Sequence, residues 1–135
     1  MISNFSIKTK GAALNEITDR VAAVVNHANV DEGLCTVFIR HTSASLVIQE
    51  NADPTARHDL ERWLWNLVDV NEIEFEHTAE GPDDMPSHIK SALTATSLSI
   101  PIQDGKLCLG TWQGIYVWEH RSRSHERQLV VHVGT

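Results

Sequence analysis

The 135-residue chain predicts an α+β fold, a single domain over residues 1–135 with about seven strands in mainly antiparallel pairing and about three helices. Three observations carry that reading. Short β-rich runs fill the final third and are joined by turn signals. Helical spacing is confined to three stretches, and no linker, repeat or low-complexity segment divides them. Hydrophobic residues make up 41% and charged residues 21%, which is ordinary globular usage and argues against disorder.

Taken in order, Phe5, Ile7 and Thr9 alternate with polar neighbours and open a strand. Asn15 is placed to cap a helix whose apolar stripe is Ile17, Val21, Val24, Val25 and Ala28. Gly33 ends the connection to a β-rich run over residues 34–40, followed by His41-Thr42-Ser43-Ala44 and a second run over 45–49. Asp53-Pro54 starts the second helix, a capping carboxylate before proline at the first helical position. Ala56, Leu60, Trp63, Leu64 and Leu67 form its expected inner face. The acidic stretch 69–84 reads as a long loop with a short extended piece at 73–75. Pro86 opens the third helix, through His88, Ile89, Ala92 and Leu93. Strands at 97–102 and 106–110 flank Asp104-Gly105, a strong hairpin signal. Strands at 115–120 and 127–133 are joined by a polar turn over 121–126.

Composition bounds the function. A formal net charge of -7, with Arg and Lys scattered, argues against nucleic acid as partner. No run approaches the roughly 18 apolar residues of a spanning helix, and the first residues lack a signal peptide's apolar block, so a cytoplasmic protein without membrane association is expected. Cys35 and Cys108 each sit in an apolar strand-like run and read as two buried thiols, in keeping with a reducing compartment.

Histidines outnumber lysines eight to four, and residues 77–88 concentrate them with acid: His77-Thr-Ala-Glu80-Gly-Pro-Asp83-Asp84-Met-Pro-Ser-His88. His77 and His88 are too far apart for the short helical metal pattern, so convergence requires the loop to fold back, which its prolines favour. Asp84 also suits a helix cap, and Glu80 and Asp83 are equally readable as solvated. His41 follows its strand in phase with Cys35, Val37 and Ile39, so it points toward the buried face and needs a partner: metal, carboxylate or carbonyl. His41, His77 and His88 together would make an open zinc-type site. Magnesium would instead prefer Glu80, Asp83 and Asp84 with substrate phosphates.

Other polar residues have paired readings. Thr42 and Ser43 suit phosphate or a turn; Glu50 and Asn51 lie at a strand end beside a helix start. Glu119 and Arg127 would pair on a buried face if their strands form a hairpin. Trp112, Gln113 and Gly114 offer a stacking surface and a close backbone approach, or simply core and subunit contact.

These blocks, His41-Thr-Ser-Ala, Glu50-Asn-Ala-Asp53, the 77–90 segment, Ser99-Ile-Pro-Ile and Leu109-Gly-Thr-Trp-Gln-Gly114, with Glu119 and Arg127 downstream, resemble the YjbQ-like family, also called secondary thiamine-phosphate synthases. The resemblance runs through nearly the whole chain. It implies two antiparallel sheets, a homotrimer, and a pocket lined by His41, His77 and His88 near a subunit boundary. It also implies thiamine-phosphate formation, in which a thiazole nitrogen displaces pyrophosphate from a hydroxymethylpyrimidine carbon.

For that chemistry Asp84, with Asp83 and Glu80, would hold a divalent ion; His77 and His88 would assist the leaving group; Trp112 would stack on the pyrimidine; Lys90 and Arg127 are the nearest cations for a small phosphorylated metabolite. A metal-assisted hydrolase and a non-catalytic metabolite- or metal-binding trimer are the alternatives.

Overall fold

Alternating apolar residues build two antiparallel sheets that share one core in the computed structural model, which describes residues 1–69, 71 and 74–135. The elements are β1 (Ile2–Lys8), β2 (Leu14–Glu16), α1 (Thr18–Ala28), β3 (Gly33–Ile39), β4 (Ala44–Glu50), α2 (Pro54–Trp65), α3 (Asp84–Leu93), β5 (Ser97–Gln103), β6 (Lys106–Leu107), β7 (Gln113–Glu119) and β8 (Glu126–Gly134). One sheet has the order β1-β8-β3-β5-β6 and the other β2-β7-β4. The α+β class and antiparallel pairing stand as expected. The eighth strand is β2, at the position read as a helix cap.

Asn15 belongs to that strand: its Oδ1 accepts the Lys10 amide at 2.9 Å, and α1 starts without a side-chain cap. Thr18 ties the start of α1 to the sheet, its Oγ1 accepting the Ile115 amide at 2.9 Å. Val21 and Val25 of α1 then meet Val37, Ile39, Leu129, Val131, Leu46, Ile115 and Val117 in the core. Asp104 and Gly105 both take positive φ, 52° and 76°, so β5 and β6 close through a two-residue turn matched to strand twist. β6 ends at Leu107, which leaves Cys108 exposed instead of buried; Cys35 is buried, and both thiols are free.

Three further expectations change. β7 and β8 are not a hairpin: β7 pairs with β2 and β4, β8 with β1 and β3, and residues 120–125 cross from one sheet to the other. In α2, capped as expected by Asp53 accepting the Thr55 amide, only Leu64 is fully buried, and Trp63 is 61% exposed. The third helix begins at Asp84, and its buried side chains are Asp84, Pro86, Ser87 and Lys90, while Leu93 is exposed. It packs on the first residues of β4, where Ser91 Oγ donates to Ala44 O at 3.0 Å, so the expected stripe through Ile89, Ala92 and Leu93 is not its inner face. The extended piece expected at 73–75 begins at Ile73, outside the described residues.

β7 is enclosed on both sides. Ile115, Val117 and Glu119 face the core between the sheets, whereas Tyr116, Trp118 and His120 lie beneath residues of α2 and α3. Among the described residues no helix is long and apolar enough to cross a membrane.

Truncating Leu46, fully buried between the sheets, should cost about 2–5 kcal/mol, whereas Trp63→Ala should stay within about 0.5 kcal/mol. Urea unfolding of the two variants measures both; equal losses would contradict this division of inner and outer residues.

Candidate functional site

The loop before α3 folds back so that three donors converge. His77 Nε2 stands 2.6 Å from Asp84 Oδ2, and His88 Nε2 stands 3.1 Å from the same oxygen. The three ligand atoms all lie within 4.8 Å of one another. Helical spacing brings Asp84 and His88 onto one face, four residues apart. His77 is supplied by the loop and is half-exposed, whereas Asp84 is buried.

The outer hydrogen bonds decide what this cluster can hold. His88 Nδ1 is 2.8 Å from Thr42 O. A carbonyl only accepts, so Nδ1 carries a proton and Nε2 is left to meet Asp84. Nε2 facing a carboxylate oxygen at 3.1 Å is favourable with a second proton or a cation between them. Asp84 Oδ1 is held from behind by Arg121 Nη1 at 2.9 Å. Burial alone would raise the Asp84 carboxyl, but the His77 hydrogen bond and the charges of His88 and Arg121 outweigh it and hold the group below the usual range. Two imidazole nitrogens and one ionised carboxylate, each braced from outside, fit a zinc-type divalent ion with an open position.

The magnesium set does not gather in the same way. Both Asp83 oxygens are taken by Arg121, at 3.1 and 3.2 Å, and Oδ2 also accepts the Ser122 amide at 2.8 Å. Burial raises Asp83, and the Arg121 and Ser122 hydrogen bonds more than reverse this, to about 2. Glu80 contributes its backbone carbonyl to Arg121 Nη2 at 2.8 Å. Arg121 was read only as part of a polar turn, although it organises this whole acidic segment. Its sole sequence signal is an arginine immediately after the strand read over residues 115–120.

His41 does not join the other two histidines as a donor. Its Nε2 accepts the Gln128 amide at 2.8 Å, and Arg127 Nη1 lies 3.3 Å from its Nδ1. Burial, then the Arg127 charge, hold His41 below its ordinary value, which favours the neutral acceptor. The third position that the sequence reading gave to His41 is taken by Asp84. His41 remains next in the chain to Thr42, whose carbonyl fixes His88.

Beside this cluster lies a buried ion pair. Arg127 Nε donates to Glu119 Oε1 at 2.8 Å, and its Nη2 donates to Ser43 Oγ at 3.0 Å. Thr9 Oγ1 and the Arg121 amide also donate to Glu119, at 2.7 and 3.1 Å. Burial opposes ionisation of Glu119, but Arg127, Thr9 and Arg121 together keep its carboxyl below the usual value. The pair expected across a hairpin thus forms between two sheets.

Glu50, Asn51, Trp112 and Gln113 lie elsewhere. β4 and β7 pair antiparallel with Ala44 opposite Glu119 and Glu50 opposite Gln113. Six residue steps separate these ends, roughly 20 Å of strand, so Trp112 is not a wall of the His77–His88 site within one chain. Trp112 is 63% exposed, and its carbonyl accepts the Asn51 amide at 3.0 Å. Lys90 is on α3 but buried, away from the converging donors.

The sequence profile described as UPF0047 protein YjbQ-like matches residues 3–135. The chain belongs to the YjbQ-like UPF0047 family. It is 54% identical over 127 residues to the UPF0047 protein sll1880 of Synechocystis sp., covering 94% of this chain and 86% of that protein. It is 41% identical to the UPF0047 protein YjbQ of Escherichia coli O157:H7, covering 93% and 91%. A crystal structure of a YjbQ/UPF0047 family protein from Clostridium acetobutylicum superposes with a TM-score of 0.86 at 34% identity, covering 98% of this chain and 99% of that one.

The depressed Asp83 carboxyl makes stability pH-dependent. Its contribution is complete above the ordinary Asp value of 3.8 and is lost as pH falls toward about 2. Asp83→Asn should therefore flatten the fall of the urea midpoint across that window; an unchanged acid profile would show that the Arg121 clamp adds no stability. Replacing Arg127 by Ala leaves Glu119 buried without its partner and should cost about 3–5 kcal/mol in urea unfolding.

Proposed function

We propose that this YjbQ-like protein is a divalent-metal-dependent enzyme acting on a small phosphorylated metabolite, with His77, Asp84 and His88 holding the ion. The reaction we assign to it is the joining of hydroxymethylpyrimidine diphosphate and thiazole phosphate, with a C–N bond formed and pyrophosphate released. The observation that supports a metal most directly is the convergence of His77 Nε2 and His88 Nε2 on one Asp84 oxygen, with His88 Nδ1 held from outside by the Thr42 carbonyl. When bound, the ion would supply positive charge against departing diphosphate oxygens.

The chain's own residues supply orientation. Thr42 fixes the His88 ring, and Arg121 fixes Asp84 from its far oxygen. Half-exposed His77 forms the solvent side, where substrate would arrive. Ser43 is held by Arg127 Nη2 at the adjoining strand end, with the Thr42 hydroxyl exposed beside it. Choice of thiamine phosphate rests on the family resemblance, and choice of a homotrimer likewise.

Metal analysis of protein purified without a histidine tag should give close to one divalent ion per chain, falling steeply in His77→Ala and His88→Ala. Incubated with both phosphorylated substrates, the wild type should form thiamine phosphate and His77→Ala should not. Metal-free wild type with full activity, or product formation that survives His77→Ala, would overturn the reading. Release of phosphate from either substrate supplied alone would select the hydrolase instead.

A further inference from the structure

Lys90 is 3% exposed, and among the described residues it forms no ion pair with a carboxylate within 4 Å. A buried lysine normally has such a partner, because desolvating the charge is costly. What Nζ meets is the face of Trp65, 4.2 Å from the ring centroid. It also lines a cavity of about 500 Å³, within the size range of small-molecule sites. The cavity is on another side of α3 from the metal donors. Asp84 and His88 share one helical face; Pro86 and Lys90 share another, turned by roughly 200°.

The lining indicates what would fit. Trp65, Pro82 and Pro86 offer flat apolar walls, and Asn66 and Asn71 add amides. Two carboxylates also reach the cavity, but both are engaged: Asp83 by Arg121 and Ser122, and Asp69 Oδ1 by the Asn71 amide at 2.9 Å. Lys90 is the cation on the cavity wall, and among the described residues no salt bridge to it is formed. Burial pulls it below the ordinary lysine value, and the Asp83 charge restores only part of that.

We propose that this cavity is a second ligand site, for a small oxyanion carried on a flat ring, with the ring against Trp65 and the prolines and the anionic oxygens on Lys90. The site does not depend on the metal or on the assigned reaction. An anion there would accept a charge-assisted hydrogen bond from Lys90, and a ring would cover the exposed indole face.

Phenyl phosphate is the first probe, with benzoate to separate phosphate from carboxylate recognition and benzyl alcohol as the neutral match. All are titrated into ¹⁵N-labelled protein with and without EDTA. Phenyl phosphate should shift the Trp65 indole resonance and the amides of residues 87–91 saturably, and benzyl alcohol should bind at least about tenfold more weakly. Lys90→Met should weaken phenyl phosphate by a similar factor, while Lys90→Arg and His77→Ala retain it. Should Lys90→Met fail to fold, Trp65→Leu is read in its place and should also weaken binding. Unchanged affinity in a folded Lys90→Met, binding abolished by EDTA or by His77→Ala, or equal affinity for benzyl alcohol would overturn the site. If the failure is specifically that EDTA removes binding, the anion belongs to the metal centre and the proposed function survives.

Discussion

Glu119 occupies the place where the two sheets part, and its carboxylate holds that place together. It ends a strand that is enclosed on both faces, so it has no water to turn to. Four donors from three regions reach it instead: Thr9 beyond β1, Arg127 in β8 through two of its nitrogens, and the Arg121 amide in the crossover. Arg127 in turn reaches Ser43 and His41 at the mouth of β4. The position of residues 41–43, and with it the Thr42 carbonyl that orients His88, therefore depends on a charge pair buried between the sheets. A pair of this kind contributes little net stability against an apolar replacement, but removing one member leaves a charge that has nowhere to be solvated. Its role here is geometric.

α3 shows the same economy of placement from another direction. Most helices of this length bury an apolar stripe, and this one buries Asp84, Pro86, Ser87 and Lys90. Each flank of the helix serves a different polar feature, with the converging imidazoles and carboxylate on one and the Lys90 cavity on another. Arg121 and Asp83 lie between them as a neutral clamp.

Much of the fold was legible because its strands obey simple alternation and its turns use residues with few other uses. Asp104-Gly105 required positive φ at both positions and obtained it; Asp53-Pro54 began a helix as its chemistry demands. Strand partners were less legible. β7 and β8 are adjacent in sequence and joined by a short polar segment, which is what a hairpin looks like from sequence, yet each is drawn to a different sheet by the core residues beside it. The polar inner face of α3 was also hidden, since periodicity identifies apolar stripes and gives no signal when a helix covers hydrogen-bonding groups. In the candidate site, the density of histidine and acid in 77–88 pointed to the right segment. Asp84 was visible in its residue type but not in its partnership with His77, and Arg121 had almost no signal, because its importance comes from where three other residues end. Trp112 was read as a stacking surface for the substrate; antiparallel pairing sends it to the far end of the strand.

The sheet order β1-β8-β3 has a kinetic side. Ile2 pairs with His132 and Leu34 with Gly134, so β8 must lie between two strands that are made long before it. Until it does, β1 and β3 each present an unpaired edge, and β3 does so with Leu34 and Phe38 on its outer face. Such distant pairings are slow to find, and open apolar edges invite pairing with other chains in the meantime. Synthesis at high concentration therefore exposes this protein to aggregation before its last strand arrives, whatever the stability of the finished fold.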